Sequence, residues 1–111
     1  MQVRPEIKAL AEMMERKLQL NEHKGTKGLN DLGYLINRAK EELAEVEIAF
    51  GNDSSAVEIL AECADVANFA LFLAQLACKQ SGDRIEHLGA LAFTLDARRR
   101  DLELEPTDET E

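Results

Sequence analysis

The sequence is poor in the residues on which β-rich and disulfide-stabilised folds depend. Its 111 residues include no Trp, one Tyr, two Pro and two Cys. So few aromatic residues disfavour a sheet-rich fold, and helices are the default expectation. Cys63 and Cys78 fall in one predicted helix, about 22 Å apart along its axis, which is beyond disulfide reach. We therefore expect reduced thiols, as in a cytoplasmic protein.

Long apolar runs and excess positive charge are also missing. No apolar run of about 18 residues is free of charges, so we expect neither a membrane span nor an export signal. The 13 basic and 22 acidic residues give a net charge of -9. This balance opposes non-specific binding to nucleic acid or to an anionic membrane. The partner is expected to be a cation, or an anion that a cation carries.

The remaining composition is that of one globular domain. Hydrophobic residues make up 45% and charged residues 32% of the chain. A chain of this length supports one core. We predict a single domain over residues 1–100, followed by an acidic, disordered tail over residues 101–111.

Apolar periodicity predicts four helices, at about 5–21, 31–50 and 55–80 and from Asp83 onward. Pro5 suits a first helical position, Asn30 or Asp31 and Ser55 are candidate caps, and Asp83 is the predicted cap of the fourth helix. The fourth helix has a narrow apolar stripe: Ile85, Leu88, Ala92 and Leu95. The second helix has a longer one: Leu32, Leu35, Ile36, Ala39, Leu43, Val46 and Phe50.

The third helix is unusually apolar. Between residues 56 and 78 the main exceptions are Glu58, Glu62, Asp65, Asn68 and Gln75. A helix of this kind is buried on nearly every side. Because three short helices can hardly surround it, we expect a second subunit to complete the coat. The predicted fold is an all-α, antiparallel four-helix bundle completed by homo-oligomerisation.

Two acidic signatures lie on consecutive predicted helices. Glu42 and Glu45 are three residues apart, as are Glu62 and Asp65, so each pair shares a helix face. If the helices fold back around residues 51–54, Glu42 lies level with Asp65 and Glu45 with Glu62. The four carboxylates would then converge.

Convergence of carboxylates is costly without a cation. Two carboxylates about 6 Å apart repel by roughly 3 kcal/mol at an effective dielectric constant near 20. An all-oxygen ligand set suits Mg²⁺, or Mn²⁺ as a substitute, better than zinc. The sequence therefore predicts a magnesium site.

Simpler interpretations stand beside this one. The Glu-x-x-Glu spacing arises easily by chance, as at Glu12 and Glu15, and Glu42 and Glu45 could belong to a solvated face. Glu62 and Asp65 argue against that, because carboxylates on an apolar helix need a counter-ion or a metal. Outside these signatures, Asn68 could bind a substrate or a neighbouring helix. Lys24 and Lys27, in a loop with two glycines, could bind phosphate or remain solvated.

The spacing of Glu42-x-x-Glu45 and Glu62-x-x-Asp65 resembles that of the all-α nucleotide pyrophosphohydrolases. This is the MazG-like superfamily, which includes dimeric dUTPases and phosphoribosyl-ATP pyrophosphatases. The likeness spans about residues 20–80 and includes the Lys24-Gly25 loop and the run from Asp65 to Asn68. Many relatives carry a Trp where the loop enters the second helix, whereas this chain has Leu29 in that region.

The resemblance implies cleavage of a (d)NTP between its α and β phosphates, giving a (d)NMP and pyrophosphate. It implies Mg²⁺ held by Glu42, Glu45, Glu62 and Asp65, with Glu42 or Glu45 activating the attacking water. Lys24 and Lys27 would approach the phosphates, and Asn68 the sugar or base. The alternative is a non-catalytic oligomerisation or regulatory module with a structural metal. Its carboxylates could instead form salt bridges to Arg38 or to residues 98–100.

Overall fold

The computed structural model describes residues 2–89 and residue 99, and this part of the chain is helical, with no strand. The helices are α1 (Pro5–Leu20), α2 (Leu32–Gly51), α3 (Ala56–Ser81) and the single turn α4 (Ile85–Leu88), with a 3₁₀ turn at Glu22–Lys24. The predicted all-α class is confirmed. The expected tail over residues 101–111 lies outside the described residues, as do Ala92 and Leu95 of the fourth-helix stripe.

Local signals in the sequence set the helix starts. Pro5 begins α1, where its missing N–H costs nothing. The Asp31 carboxylate caps α2 by accepting a hydrogen bond of 3.1 Å from the backbone N–H of Tyr34. The Ser55 hydroxyl likewise accepts a hydrogen bond of 3.2 Å from the backbone N–H of Glu58 at the start of α3. Both predicted caps are confirmed.

The chain divides into two compact units, residues 1–77 and 78–111, with the boundary inside α3. In the second unit, α3 ends at Ser81 and is followed by Gly82, whose φ of +78° favours glycine. The predicted cap of the next helix is wrong by one residue, because Arg84 occupies that position. The Asp83 carboxylate instead accepts a hydrogen bond of 2.6 Å from the Ser81 hydroxyl. The single domain expected over residues 1–100 stays a prediction.

Within the first unit, α2 and α3 form an antiparallel hairpin. The carboxylates of Glu42 and Asp65 come together across it. The Arg38 guanidinium lies 5.2 Å from the centre of the Phe69 ring, one helical turn farther from the connection. Glu42 and Asp65 are the same number of residues from the middle of the connection at residues 52–55, and so are Arg38 and Phe69. The register expected for Glu42 and Asp65 is therefore observed.

Helix α1 lies antiparallel to α3 in the same unit. The Asn68 side-chain amide donates a hydrogen bond of 3.1 Å to the backbone carbonyl of Met14. One turn later on α1, the Lys17 ammonium lies 3.1 Å from the Asp65 carboxylate. From the first contact to the second, the position moves forward along α1 and backward along α3. The two helices are therefore antiparallel.

The apolar stripe of α2 does not form the core. Leu35 is fully buried, but Leu43 is 59% exposed and Phe50 63% exposed, and Leu32 and Ile36 are also exposed. The face of α2 that meets α3 is instead marked by Arg38 and Glu42. Apart from Leu35, the members of the hydrophobic stripe therefore lie off the face of α2 that packs against α3.

Helix α3 is less covered than its composition predicts. Its buried residues include Ala64, Asn68, Leu76 and Cys78, whereas Val57 near its start is 61% exposed. Many of the other residues on this helix are half-buried.

Among the described residues, no helix has both the length and the apolar character needed to cross a membrane.

Candidate functional site

Three carboxylates converge between α2 and α3. Glu42, Glu62 and Asp65 each offer an oxygen, and these oxygens lie within 4.8 Å of one another. All three residues are part-buried. At 4.8 Å, two full charges repel by about 3.5 kcal/mol at a dielectric constant near 20. The cluster therefore needs compensating positive charge.

Two basic side chains supply part of that charge. The Lys17 ammonium lies 3.1 Å from a carboxylate oxygen of Asp65. The Arg38 guanidinium lies 2.7 Å from a carboxylate oxygen of Glu42 and also contacts Glu41. Among the described residues, Glu62 has no basic side chain within ion-pair distance. Two cations thus face three carboxylates.

Glu42 shows the effect of this imbalance. Burial raises the pKa of its carboxyl, and the negative charges of Asp65 and Glu62 raise it further. The positive charge and hydrogen bond of Arg38 act in the opposite direction, and the net pKa is raised. The folded chain therefore disfavours the charged form of Glu42, which a divalent cation would favour.

Glu45 is placed differently from the other three predicted ligands. It is exposed and is not part of the converging group. A residue three positions along a helix is turned by about 60°, which places Glu45 at the exposed border of the face on which Glu42 meets α3. The expected convergence of four acids is met for three of them. The roles of Glu45 as ligand or base stay predictions.

A broad cleft of about 1220 Å³ lies beside the acidic cluster. It brings the predicted substrate residues Lys24, Lys27 and Asn68 into one cavity with Glu42 and Asp65. Its wall carries four basic and four acidic side chains, in a chain whose net charge is -9. The cleft is therefore less repulsive to an anion than the molecule as a whole. The charged residues of the wall are Lys17, Glu22, Lys24, Lys27, Asp31, Arg38, Glu42 and Asp65.

Asn68 is the most unusual polar residue of this cleft. It is only 5% exposed, and its amide nitrogen donates to the Met14 carbonyl. Its side-chain oxygen is buried and accepts no hydrogen bond from the described part of the chain. An unsatisfied buried acceptor costs about 1–3 kcal/mol. Because the oxygen is buried, a ligand in the cleft would remove that cost only after the Asn68 side chain moves.

The loop of residues 22–31 takes its shape from two glycines. Gly25 has φ +73° and Gly28 has φ +84°, in the region that side chains rarely adopt. A Cβ atom at Gly28 would lie 2.6 Å from the Tyr34 ring, whereas one at Gly25 would meet nothing within 4 Å. Gly28 therefore lets the loop lie directly against Tyr34 at the start of α2.

Two aromatic rings of α3, Phe69 and Phe72, form another part of the cleft wall. The Phe69 and Phe72 rings pack edge to face, with centres 5.4 Å apart. The Arg38 guanidinium lies over Phe69 and holds Glu42 at the same time. Arg38 therefore joins the apolar wall to the acidic cluster.

Lys17 is the residue of this site that the sequence did not reveal. It comes from α1, and its contact with Asp65 spans 48 positions, so no local spacing predicts it. One signal was present: Lys17 lies three residues after Met14, on the apolar face of α1. A single lysine at such a position is a candidate partner for a part-buried acid.

Comparison of the chain with family models, with curated proteins and with solved structures finds no match.

Proposed function

We propose that this chain is a Mg²⁺-dependent nucleotide pyrophosphohydrolase of the MazG-like type. It would cleave a (d)NTP between the α and β phosphates to a (d)NMP and pyrophosphate. The observation that supports this most is the meeting of Glu42, Glu62 and Asp65 beside a cleft lined by Lys24 and Lys27. Carboxylates for a cation and basic groups for phosphate are the two requirements of phosphoryl chemistry.

In this proposal Glu42, Glu62 and Asp65 hold Mg²⁺, or Mn²⁺ in its place. Oxygens bound to Mg²⁺ at about 2.1 Å are at most about 4.2 Å apart. The three carboxylate oxygens lie within 4.8 Å of one another, so small side-chain movements would complete the site. Bound Mg²⁺ would neutralise phosphate charge and lower the pKa of a coordinated water.

Lys17 and Arg38 act as counter-ions to the carboxylates until the metal binds. The ammonium of Lys17 and the guanidinium of Arg38 both line the cleft. If Asp65 and Glu42 held Mg²⁺, their ion pairs with these two basic side chains would be weaker. Lys17 and Arg38 then turn toward the triphosphate, where Arg38 can bind phosphate oxygens in a bidentate manner.

The reaction itself adds one water across a phosphoanhydride. Water attacks the α phosphorus, the bond to the bridging oxygen breaks, and pyrophosphate leaves with that oxygen. A carboxylate of the first signature accepts the proton from water. Of the two candidates, Glu42 has the better structural support, because it lies in the cluster while Glu45 is exposed.

The remaining predicted residues bind the rest of the substrate. Lys24 and Lys27 meet the outer phosphates, and the free side-chain oxygen of Asn68 accepts a hydrogen bond from the sugar or base. Tyr34, which also lines the cleft, offers an aromatic ring in the region where many MazG-like proteins carry a Trp. The proposed enzyme works as a homo-oligomer in the cytoplasm.

The test is release of pyrophosphate from a panel of NTPs and dNTPs with Mg²⁺. We expect turnover of at least one nucleotide, reduced by about 100-fold or more in Glu42→Gln and Asp65→Asn. The control is Glu12→Gln, which removes an exposed acid from a signature with the same spacing on α1. Absence of turnover with every nucleotide would refute the enzymatic proposal.

A second candidate is a non-catalytic helical module held together by salt bridges. It is favoured by the pairs that Lys17 forms with Asp65 and Arg38 with Glu42, which balance two of the three acids without a metal. Titration with Mg²⁺ while the melting temperature is measured separates the two. The enzyme is stabilised by Mg²⁺, whereas the salt-bridged module is unaffected by it or by a chelator.

A further inference from the structure

The exposed apolar stripe of α2 has the spacing of an association surface. Its six members follow one another at intervals of 4, 3, 4, 3 and 4 residues, which is the a/d pattern of a coiled-coil seam. The large side chains of the stripe are exposed, and Ala39 and Val46 are half-covered. We call these residues the α2 seam: Leu32, Ile36, Ala39, Leu43, Val46 and Phe50.

A contiguous row of exposed apolar side chains on one helix indicates a surface that another helix or chain buries. Single exposed apolar residues are common on protein surfaces, but continuous patches mark sites of interaction. The face of α2 toward α3 is a different one, marked by Arg38 and Glu42. The α2 seam is thus left over after the packing of the first unit.

We propose that the α2 seam binds the α2 seam of a second copy of this chain, with the two helices antiparallel. This orientation places Leu32 of each copy opposite Phe50 of the other, and Ile36 opposite Val46. Ala39 then lies opposite Leu43, where a small residue allows a large one to fit. Every member of the seam is paired by this one register.

The charges beside the seam favour the same arrangement. Lys40 and Glu47 are exposed, lie one heptad apart on the same edge, and have no ion pair within the described residues. Helical side chains tilt toward the N-terminus of their helix. In the register given above, Lys40 of each copy therefore leans toward Glu47 of the other. The twofold axis generates this pair twice.

This proposal specifies the surface of the oligomer that forms part of the proposed function, and it does not depend on catalysis. Sedimentation of the full chain over a range of concentrations tests it. We expect a dimer, and we expect Leu43→Glu to raise its dissociation constant about 100-fold, because a charge would enter the apolar seam. The control is Ile48→Glu, on the same helix, where the wild-type side chain is also exposed but lies off the seam.

Charge exchange tests the orientation separately. Lys40→Glu places glutamates of the two copies face to face and weakens the dimer, and adding Glu47→Lys restores it. Helicity by circular dichroism verifies that each variant is folded. A monomer at every concentration, equal weakening by Leu43→Glu and Ile48→Glu, or failure of the double exchange to restore the dimer would overturn the proposal. Loss of nucleotide hydrolysis with an intact dimer would count against the proposed function alone.

Discussion

The two faces of α2 differ in the side chains they carry and in whether they are buried. The face toward α3 carries charged groups, Arg38 and Glu42, yet it is the one that packs within the chain. The α2 seam is apolar, yet it is exposed. The inner face also carries the buried Leu35 and Ala49, but partial burial of the charged Arg38 and Glu42 beside them costs free energy. The proposed cation site on the inner face and the proposed association on the outer face would account for this arrangement.

The largest stability effect is expected on the inner face. Leu35→Ala removes a fully buried side chain and should lower the free energy of unfolding by about 3 kcal/mol. Leu43→Ala should lower it only at concentrations at which the chain dimerises. Urea denaturation at two protein concentrations measures both. The distinction between the faces breaks down if the two variants are equally destabilised in dilute solution.

The next largest effect is expected at Arg38, whose guanidinium forms an ion pair with the Glu42 carboxylate. Arg38→Met leaves that carboxylate with two acidic neighbours and no basic one, so we expect a loss of about 1–3 kcal/mol near neutral pH. Because the pKa of Glu42 is raised in the folded chain, stability is retained below its unfolded pKa and falls as pH rises through the folded pKa. The difference between wild type and variant should therefore grow with pH in urea denaturation from pH 4 to 8. A constant difference would contradict this account.

A smaller effect of opposite sign is expected at Glu62. Its carboxylate has no basic partner among the described residues and raises the pKa of Glu42. Glu62→Gln should therefore stabilise the metal-free chain by roughly 1 kcal/mol while reducing stabilisation by Mg²⁺. Thermal melts with Mg²⁺ and with a chelator show both changes. Destabilisation of the metal-free chain would mean that Glu62 has a favourable contact in the fold.

The smallest effect is expected at Glu45. Because this residue is exposed and outside the cluster, Glu45→Gln should change Mn²⁺ affinity by no more than about twofold. Calorimetric titration of the metal measures it. A tenfold loss would mean that the four-carboxylate site predicted from the sequence forms after all, with α2 rotated relative to the structure.

The sequence predicted those features that depend on neighbouring residues. Helix bounds and the caps at Asp31 and Ser55 follow from local hydrogen bonds. Counting residues outward from the short connection between α2 and α3 predicts that Glu42 lies level with Asp65. The same spacing at Glu12 and Glu15 has no structural counterpart, since both are exposed on α1.

Features that depend on how the helices turn against one another were not predictable. Apolar periodicity marks a face that becomes covered, but it does not say whether the same chain or a second copy covers it. Lys17 was missed because its contact with Asp65 is long-range. Glu45 was included because residue spacing alone predicts a wider ligand-bearing face on α2 than the structure has.

The central claim is that Glu42, Glu62 and Asp65 form one binding site for a divalent cation. Electron paramagnetic resonance of Mn²⁺ titrated into the chain tests it most directly, because free and bound Mn²⁺ give different signals. We expect saturable Mn²⁺ binding that competes with Mg²⁺, is lost in Asp65→Asn and is retained in Glu12→Gln. Absence of saturable binding, or equal binding by these two variants, would contradict it.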